Sequence, residues 1–120
     1  MKKVTFVFVL LFVFSGLFVY AKPKLPAKLI VQPDPDNPFQ GTWIALISDR
    51  VILVVEGTEW TQYNLVGMIG AEWRRIGVGK IEKRADGFYY NSEGDRWTVE
   101  NNILTISGGK GQYERYVVKK

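Results

Sequence analysis

The 120-residue chain contains neither cysteine nor histidine, and these two absences exclude most enzyme chemistries. Without histidine there is no Ser-His-Asp triad, and without both residue types thiol chemistry and nearly all zinc sites are excluded. Disulfide bonds are excluded as well, so packing must stabilise whatever fold forms. We therefore expect no catalytic residue, no metal site and no cofactor.

Two patterns that resemble catalytic motifs are better explained by local structure. Glu93 and Asp95 flank Gly94, which is typical of a solvated turn rather than of a glycosidase carboxylate pair. The run from Gly77 to Lys80 lacks the full spacing and the following Ser or Thr of a phosphate-binding loop. We interpret it as a kink in a strand, and an unrecognised enzyme is the least favoured of three functional hypotheses.

The N-terminal 21 residues have the pattern of a secretory signal peptide. A basic start, Met1 to Lys3, precedes an almost wholly apolar run that ends at Ala21. Residues 1–21 are therefore predicted to be a signal helix that is cleaved before Lys22, which would release a periplasmic or extracellular protein. The alternative is an uncleaved anchor formed by residues 4–21, because this run is near the lower limit for spanning a bilayer. A membrane contact is expected only in that alternative.

The charge of the chain does not favour nucleic acid as a partner. The formal net charge of +4 includes Lys2 and Lys3, and 14 basic and 12 acidic residues remain without them. The resulting net charge of +2 is close to balance, whereas nucleic-acid-binding domains carry a strongly basic face.

Residues 22–38 hold all five prolines of the chain and are predicted to be a Pro-rich linker. Proline fixes φ and has no N–H donor, so this density excludes a regular helix and a central strand. The segment is expected to be an extended, mostly disordered spacer.

Residues 39–120 are predicted to form one all-β domain. Short runs rich in Val, Ile, Trp, Tyr and Thr alternate with Gly, Asp, Asn and Ser, and no stretch shows helical periodicity. Tight turns join the strands in chain order, so the simplest topology is a small antiparallel up-and-down barrel of eight strands, closed to remove exposed edges. The predicted strands cover residues 41–47, 51–56, 59–66, 72–84, 88–91, 96–99, 103–106 and 113–118.

The segment Gly41-Thr42-Trp43 resembles the G-x-W motif of the lipocalin (calycin-type) superfamily, in the first strand of the domain. Residues 38–120 as a whole are similar to small exported bacterial lipocalin-like proteins. The similarity includes Trp60, the run from Asp86 to Tyr89, Trp97, Leu104 and Tyr113.

The resemblance implies a structural role for three residues. In lipocalins the motif tryptophan closes one end of the barrel and packs under a basic residue of the last strand. Gly41 and Trp43 would take that place here, with Arg115 as the cation–π partner. A barrel of eight strands is just wide enough to be filled by its own side chains or to hold one small ligand. Short strands and four tryptophans favour the filled version.

Aromatic residues are the candidates for binding, namely Trp60, Trp73 and Tyr89 together with the basic Arg75. Trp73 precedes Arg74 and Arg75, and an exposed aromatic–basic patch of this kind binds glycans, nucleic acid or protein. Strand alternation places Tyr89 and Tyr90 on opposite faces, so one of them should point outward.

Two hypotheses of non-catalytic function follow from these observations. The first is an exported binding module of lipocalin-like type that holds a small apolar or amphipathic ligand. The second is a filled barrel that docks or inhibits an envelope protein through surface aromatics. An open cavity with inward polar groups would favour the first, and a dry, filled core with an exposed aromatic patch would favour the second.

Overall fold

The structure, a computed structural model, describes residues 24–117, which form a closed barrel of eight antiparallel strands. Each strand pairs with the next one along the chain, and the last strand pairs with the first. The predicted all-β, up-and-down fold class is therefore confirmed. The strands are β1 (Gly41–Ala45), β2 (Val51–Glu56), β3 (Glu59–Val66), β4 (Glu72–Lys83), β5 (Tyr89–Asn91), β6 (Arg96–Glu100), β7 (Ile103–Ile106) and β8 (Gly111–Arg115).

The predicted signal peptide, and the alternative anchor within it, lie outside the described residues. Between residues 24 and 117 no helix is both long enough and apolar enough to cross a bilayer.

The last strand begins earlier than the predicted range of 113–118. Gly108 and Gly109 both adopt a φ of +75°, which reverses the chain within the four residues that follow β7. Gly111 is consequently already paired with Ile106, and β8 ends at Arg115. A turn built on two left-handed glycines is tighter than the sequence pattern alone indicated.

The inner face of the barrel is filled with large apolar side chains. Trp43 and Ala45 point inward from β1, Leu53 and Val55 from β2, in the alternation expected of strands. Other buried members of this inner cluster are Phe39, Ile81, Trp97, Leu104, Ile106 and Tyr113.

The outer face of β1 and β2 is also buried, because the Pro-rich linker packs on it. Leu25 and Leu29 are each 4% exposed and form a second cluster with Ile44, Ile52 and Val54. The expectation of a mostly disordered spacer is therefore wrong for residues 24–38. The physical reason is that β1 and β2 are apolar on both faces, so their outer face must be covered.

Thr42 fixes the linker to β1 through its hydroxyl group. Thr42 Oγ1 donates a hydrogen bond to Leu29 O (2.6 Å) and accepts one from Val31 N (2.9 Å). Leu29 ends a 3₁₀ turn, Ala27–Leu29. The described linker residues on either side of this turn, 24–26 and 30–33, are irregular. The linker then turns back at residues 34–37, where Asn37 Nδ2 donates to Gly57 O (2.8 Å), and enters the barrel at Phe39.

Truncation of a linker leucine is expected to destabilise the barrel. Leu29→Ala should lower the free energy of unfolding by about 2–4 kcal/mol, because it removes most of a buried side chain and leaves a cavity. Urea unfolding followed by tryptophan fluorescence measures this change.

Ile47→Ala is the matched control, because it truncates an aliphatic side chain that is 95% exposed. Its expected effect is smaller than about 0.5 kcal/mol. Equal effects of the two substitutions would show that the linker is not packed on the barrel in solution.

Candidate functional site

One end of the barrel, the closed end, is sealed around Trp43. The Trp43 indole Nε1 donates a hydrogen bond to Phe39 O (2.9 Å), and the Arg115 guanidinium carbon lies 4.3 Å from the centre of the Trp43 ring. The Phe39 ring meets Tyr89 edge-on at 5.0 Å, between ring centroids. These contacts place three aromatic rings and one guanidinium group across this end of the barrel.

Arg115 joins the closed end to the segment that precedes β1. Its Nη1 donates to Gln40 O (2.7 Å), its Nη2 to Pro38 O (3.0 Å) and its Nε to Asn102 Oδ1 (3.2 Å). Gly41 makes room for this side chain, since a Cβ there would lie 2.6 Å from Arg115 Nη1. Partial burial lowers the pKa of Arg115, yet the group stays charged at neutral pH.

Loss of the Arg115 guanidinium is expected to weaken the barrel. Arg115→Ala should cost about 2–3 kcal/mol of unfolding free energy, since it removes a cation–π contact and charge-assisted hydrogen bonds to two carbonyls. Chemical denaturation followed by tryptophan fluorescence measures this change.

Arg75→Ala serves as the control, because the Arg75 side chain is exposed and makes no hydrogen bond or ion pair within residues 24–117. Its effect should stay within about 0.5 kcal/mol. Arg115→Lys should recover little of the loss, because lysine lacks the planar fork. An Arg115→Ala protein as stable as the Arg75→Ala protein would contradict this role of Arg115.

The opposite, open end contains a cavity of about 160 Å³ that we call the mouth cavity. Its floor is apolar and aromatic, and its rim is polar. The floor consists of Leu53, Trp60, Trp97, Ile106 and Tyr113, and the rim of Gln62, Asn91, Glu93, Asp95 and Lys110.

The rim is ordered by the turn between β5 and β6. Asn91 Oδ1 accepts hydrogen bonds from the backbone N–H groups of Glu93 and Asp95, both at 3.0 Å. Glu93 pairs with Lys110 across the rim (2.9 Å), and this hydrogen bond and charge raise the pKa of Lys110. The Asp95 carboxylate fits against Gly108, where a Cβ would lie 2.6 Å from Oδ1. Glu93 and Asp95 are thus turn residues that also border a cavity.

Two buried hydrogen-bond donors in the floor have no partner. The indole Nε1 atoms of Trp60 and Trp97 make no hydrogen bond within the described part of the chain, and Trp97 is only 2% exposed. An indole N–H is a donor only, and leaving one buried and unpaired costs about 1–3 kcal/mol. Both rings line the mouth cavity, while the two Nε1 atoms themselves are closed off from solvent.

Gly79 determines where the Trp60 ring lies. A Cβ at Gly79 would lie 2.5 Å from Trp60 Cζ2 and 2.8 Å from Trp60 Nε1, whereas one at Gly77 would lie 3.7 Å from the same ring. The ring therefore rests on the bare backbone of β4 and stacks obliquely on Trp97, with 6.0 Å between ring centroids. An alanine at position 79 would force the ring to move.

The four binding candidates from the sequence do not form one site. Trp60 lines the mouth cavity, and Tyr89 lies inside the closed end against Phe39. Trp73 packs on the outer cluster under the linker, and Arg75 is paired with Tyr63 in the β-ladder and exposed on the same outer face.

Most aromatic rings on the outside are partly covered, and Phe88, at 43%, is the one exposed aromatic residue among residues 24–117. Tyr63, Trp73 and Tyr116 pack against the linker cluster. The guanidinium of Arg84 lies 4.3 Å from the Tyr90 ring centre, and that of Arg96 lies 4.8 Å from the Phe88 ring centre. The alternation of Tyr89 inward and Tyr90 outward is as predicted. Among residues 24–117 the most exposed large apolar side chains are aliphatic, namely Ile47, Met68 and Ile69.

Three polar residues of the mouth cavity, Gln62, Asn91 and Lys110, were not among the binding candidates predicted from the sequence. Gln62 follows Trp60 by two positions and Asn91 follows Tyr89 by two, so strand alternation places each on the inner face with its aromatic neighbour. The positions of Gln62 and Asn91 could therefore have been predicted from the sequence. The contact between Lys110 and Glu93 could not, because it depends on how two separate turns meet.

No cluster of three or more acidic side chains within residues 24–117 is arranged to hold a metal ion. Comparison of the chain with protein-family models, with curated proteins and with solved structures finds no match.

Proposed function

We propose that the protein is an exported, non-catalytic binding module of lipocalin-like type, whose mouth cavity takes one small amphipathic molecule. The observation that carries the proposal is the pair of buried, unpartnered indole donors, Trp60 and Trp97, in the floor of a cavity with a polar rim. Support for the lipocalin-like type comes from the eight-stranded up-and-down barrel and from the stacking of Arg115 on Trp43.

The size of the cavity restricts the ligand class. At about 160 Å³ the mouth cavity is smaller than the roughly 300–1,000 Å³ of ordinary small-molecule pockets. The inner cluster fills the rest of the barrel, which argues against a long acyl chain. A compact molecule fits better, with an apolar or aromatic body against Trp60 and an acceptor atom for an indole N–H. A donor group on it would face Asp95 or Gln62.

The second candidate function, docking of an envelope protein by a filled barrel, needs a different surface from the one expected. Most outward aromatic rings pack against the linker cluster or an arginine, and Phe88, which is 43% exposed, is a single ring rather than a patch. The observation that favours docking is instead the unpaired edge of β4.

Native mass spectrometry of the protein, purified gently from its own host, tests the proposal. A mature mass with a discrete small adduct is the expected result, and the same spectrum shows whether residues 1–21 have been removed. Gly79→Ala should lower the occupancy of the adduct at least about tenfold, because the new methyl group drives Trp60 into the cavity.

Gly77→Ala is the matched control on the same strand. Neither glycine has a positive φ, and a methyl group at position 77 makes only ordinary contact with Trp60. Its adduct should match that of the unmodified protein, with the same near-ultraviolet circular dichroism. A bare mature mass, or equal adducts in both variants, would contradict ligand binding in the mouth cavity.

A further inference from the structure

The strand β4 is much longer than its neighbour β5, and this mismatch leaves a free edge on the barrel. Residues 72–75 and 77–80 of β4 pair with β3, with Ile76 bulged between them, whereas β5 pairs only with Ile81, Glu82 and Lys83. Within residues 24–117 no strand or loop forms backbone hydrogen bonds with the other side of residues 72–80. The barrel is closed by a three-residue ladder, and nine residues of β4 remain an edge strand.

The direction of the free backbone groups follows from the bonds at the end of this strand. Ile81 N donates to Thr58 O on the β3 side, and Arg84 N donates to Phe88 O on the β5 side. Because backbone direction alternates along a strand, Val78 and Lys80 direct their N–H and C=O groups to the unpaired side. These groups are the ones that an added strand would use.

Natural proteins protect such edges, and this edge is only partly protected. A bulge opposite Gln62 and Tyr63 and several basic residues are typical protective devices. Ile76 and Val78 on the same edge are nevertheless 54% and 62% exposed. Two exposed β-branched side chains beside free backbone groups favour addition of a strand.

A surface hollow of about 480 Å³ adjoins one end of this edge. It is lined by Gly79, Lys80, Glu82 and Arg84 and by residues 90–92 at the end of β5. Gly79 and Lys80, the last residues of the free edge, therefore border open space rather than another described strand.

The charge of the edge determines the kind of partner. The free edge, residues 72–80, has three basic residues and one acidic residue, a net charge of +2. Arg74 pairs with Glu72 (3.1 Å), and Lys80 lies 3.8 Å from Glu59. Residues 22–120 together carry 14 basic and 12 acidic residues, so this short segment carries as much net charge as the whole. Arg75 has no ion-pair partner within residues 24–117 and is exposed. Two such edges repel each other, which disfavours a second copy of this chain and favours an acidic segment.

We propose that the free edge of β4, residues 72–80, docks an extended acidic segment of a partner protein, which adds to the barrel as one further strand. Backbone hydrogen bonds to Val78 and Lys80 hold the segment in place, and Arg75 and Lys80 select acidic side chains. This inference does not depend on the mouth cavity.

A labelled synthetic peptide of about ten residues, in which Val and Thr alternate with Glu, is the probe, and fluorescence anisotropy with the full chain is the measurement. Saturable binding that weakens with added salt is the expected result. The same peptide methylated at alternate backbone nitrogens should not bind, because it keeps the side chains and loses the edge hydrogen bonds. A peptide with Lys in place of Glu should not bind either.

Three protein variants test backbone pairing and charge separately. Val78→Pro removes an N–H on the free side of β4, a position where an edge strand tolerates proline, and should weaken binding at least about tenfold. Val78→Ala keeps that N–H and should stay within about threefold of the unmodified protein. Arg75→Glu should weaken binding and reduce its salt dependence.

Equal affinity of the methylated and unmethylated peptides would overturn the proposal, because attraction would then be charge alone. So would equal affinity of the Val78→Pro and Val78→Ala proteins. A dimer in solution that Val78→Pro converts to monomer would assign the edge to a second copy of this chain instead. Circular dichroism of each variant identifies a misfolded protein, and the comparison of the methylated and unmethylated peptides decides the matter if Val78→Pro fails to fold.

Discussion

Burial of β1 on both faces is the constraint on which the rest of the barrel depends. Three successive residues of this strand each have a fixed partner: Gly41 accommodates Arg115, Thr42 binds the linker, and Trp43 seals the core. Because the inner and outer faces are both apolar, the strand is stable only between the barrel interior and a covering segment. The linker is therefore part of the fold, although it adds no strand to the barrel.

The shortness of β5 explains both candidate surfaces at once. With only three residues, β5 ends at Asn91, so the chain reverses through the Glu93–Asp95 turn well below the far end of β4. The turn then borders a small cavity over Trp60 on the inside, and the unpaired length of β4 remains on the outside. A longer β5 would cover the β4 edge and narrow the cavity together. The two surfaces thus share one structural origin while using different atoms.

Sequence patterns predicted the strands, but they did not predict the linker that covers β1 and β2 or the side-chain contacts between separate strands and turns. Turn residues and β-branched runs located all eight strands, because these signals are local. The apolar runs of β1 and β2 are continuous, so alternation did not assign an inner and an outer face there, and nothing local identified Leu25 and Leu29 as the cover. The Trp60–Gly79 contact and the Lys110–Glu93 pair depend on strand register and on the meeting of separate turns. A single sequence does not specify such relations.

The connectivity of the barrel has a consequence for the order of folding. Seven of the eight strand pairs join neighbours along the chain and form from local contacts. The eighth pair, β1 with β8, and the bonds from Arg115 to Pro38 and Gln40 join residues at least 68 positions apart. Loop closure makes such contacts late and slow. The chain therefore has no complete barrel until its last strand has been synthesised, and until then β1 lacks one of its two neighbours.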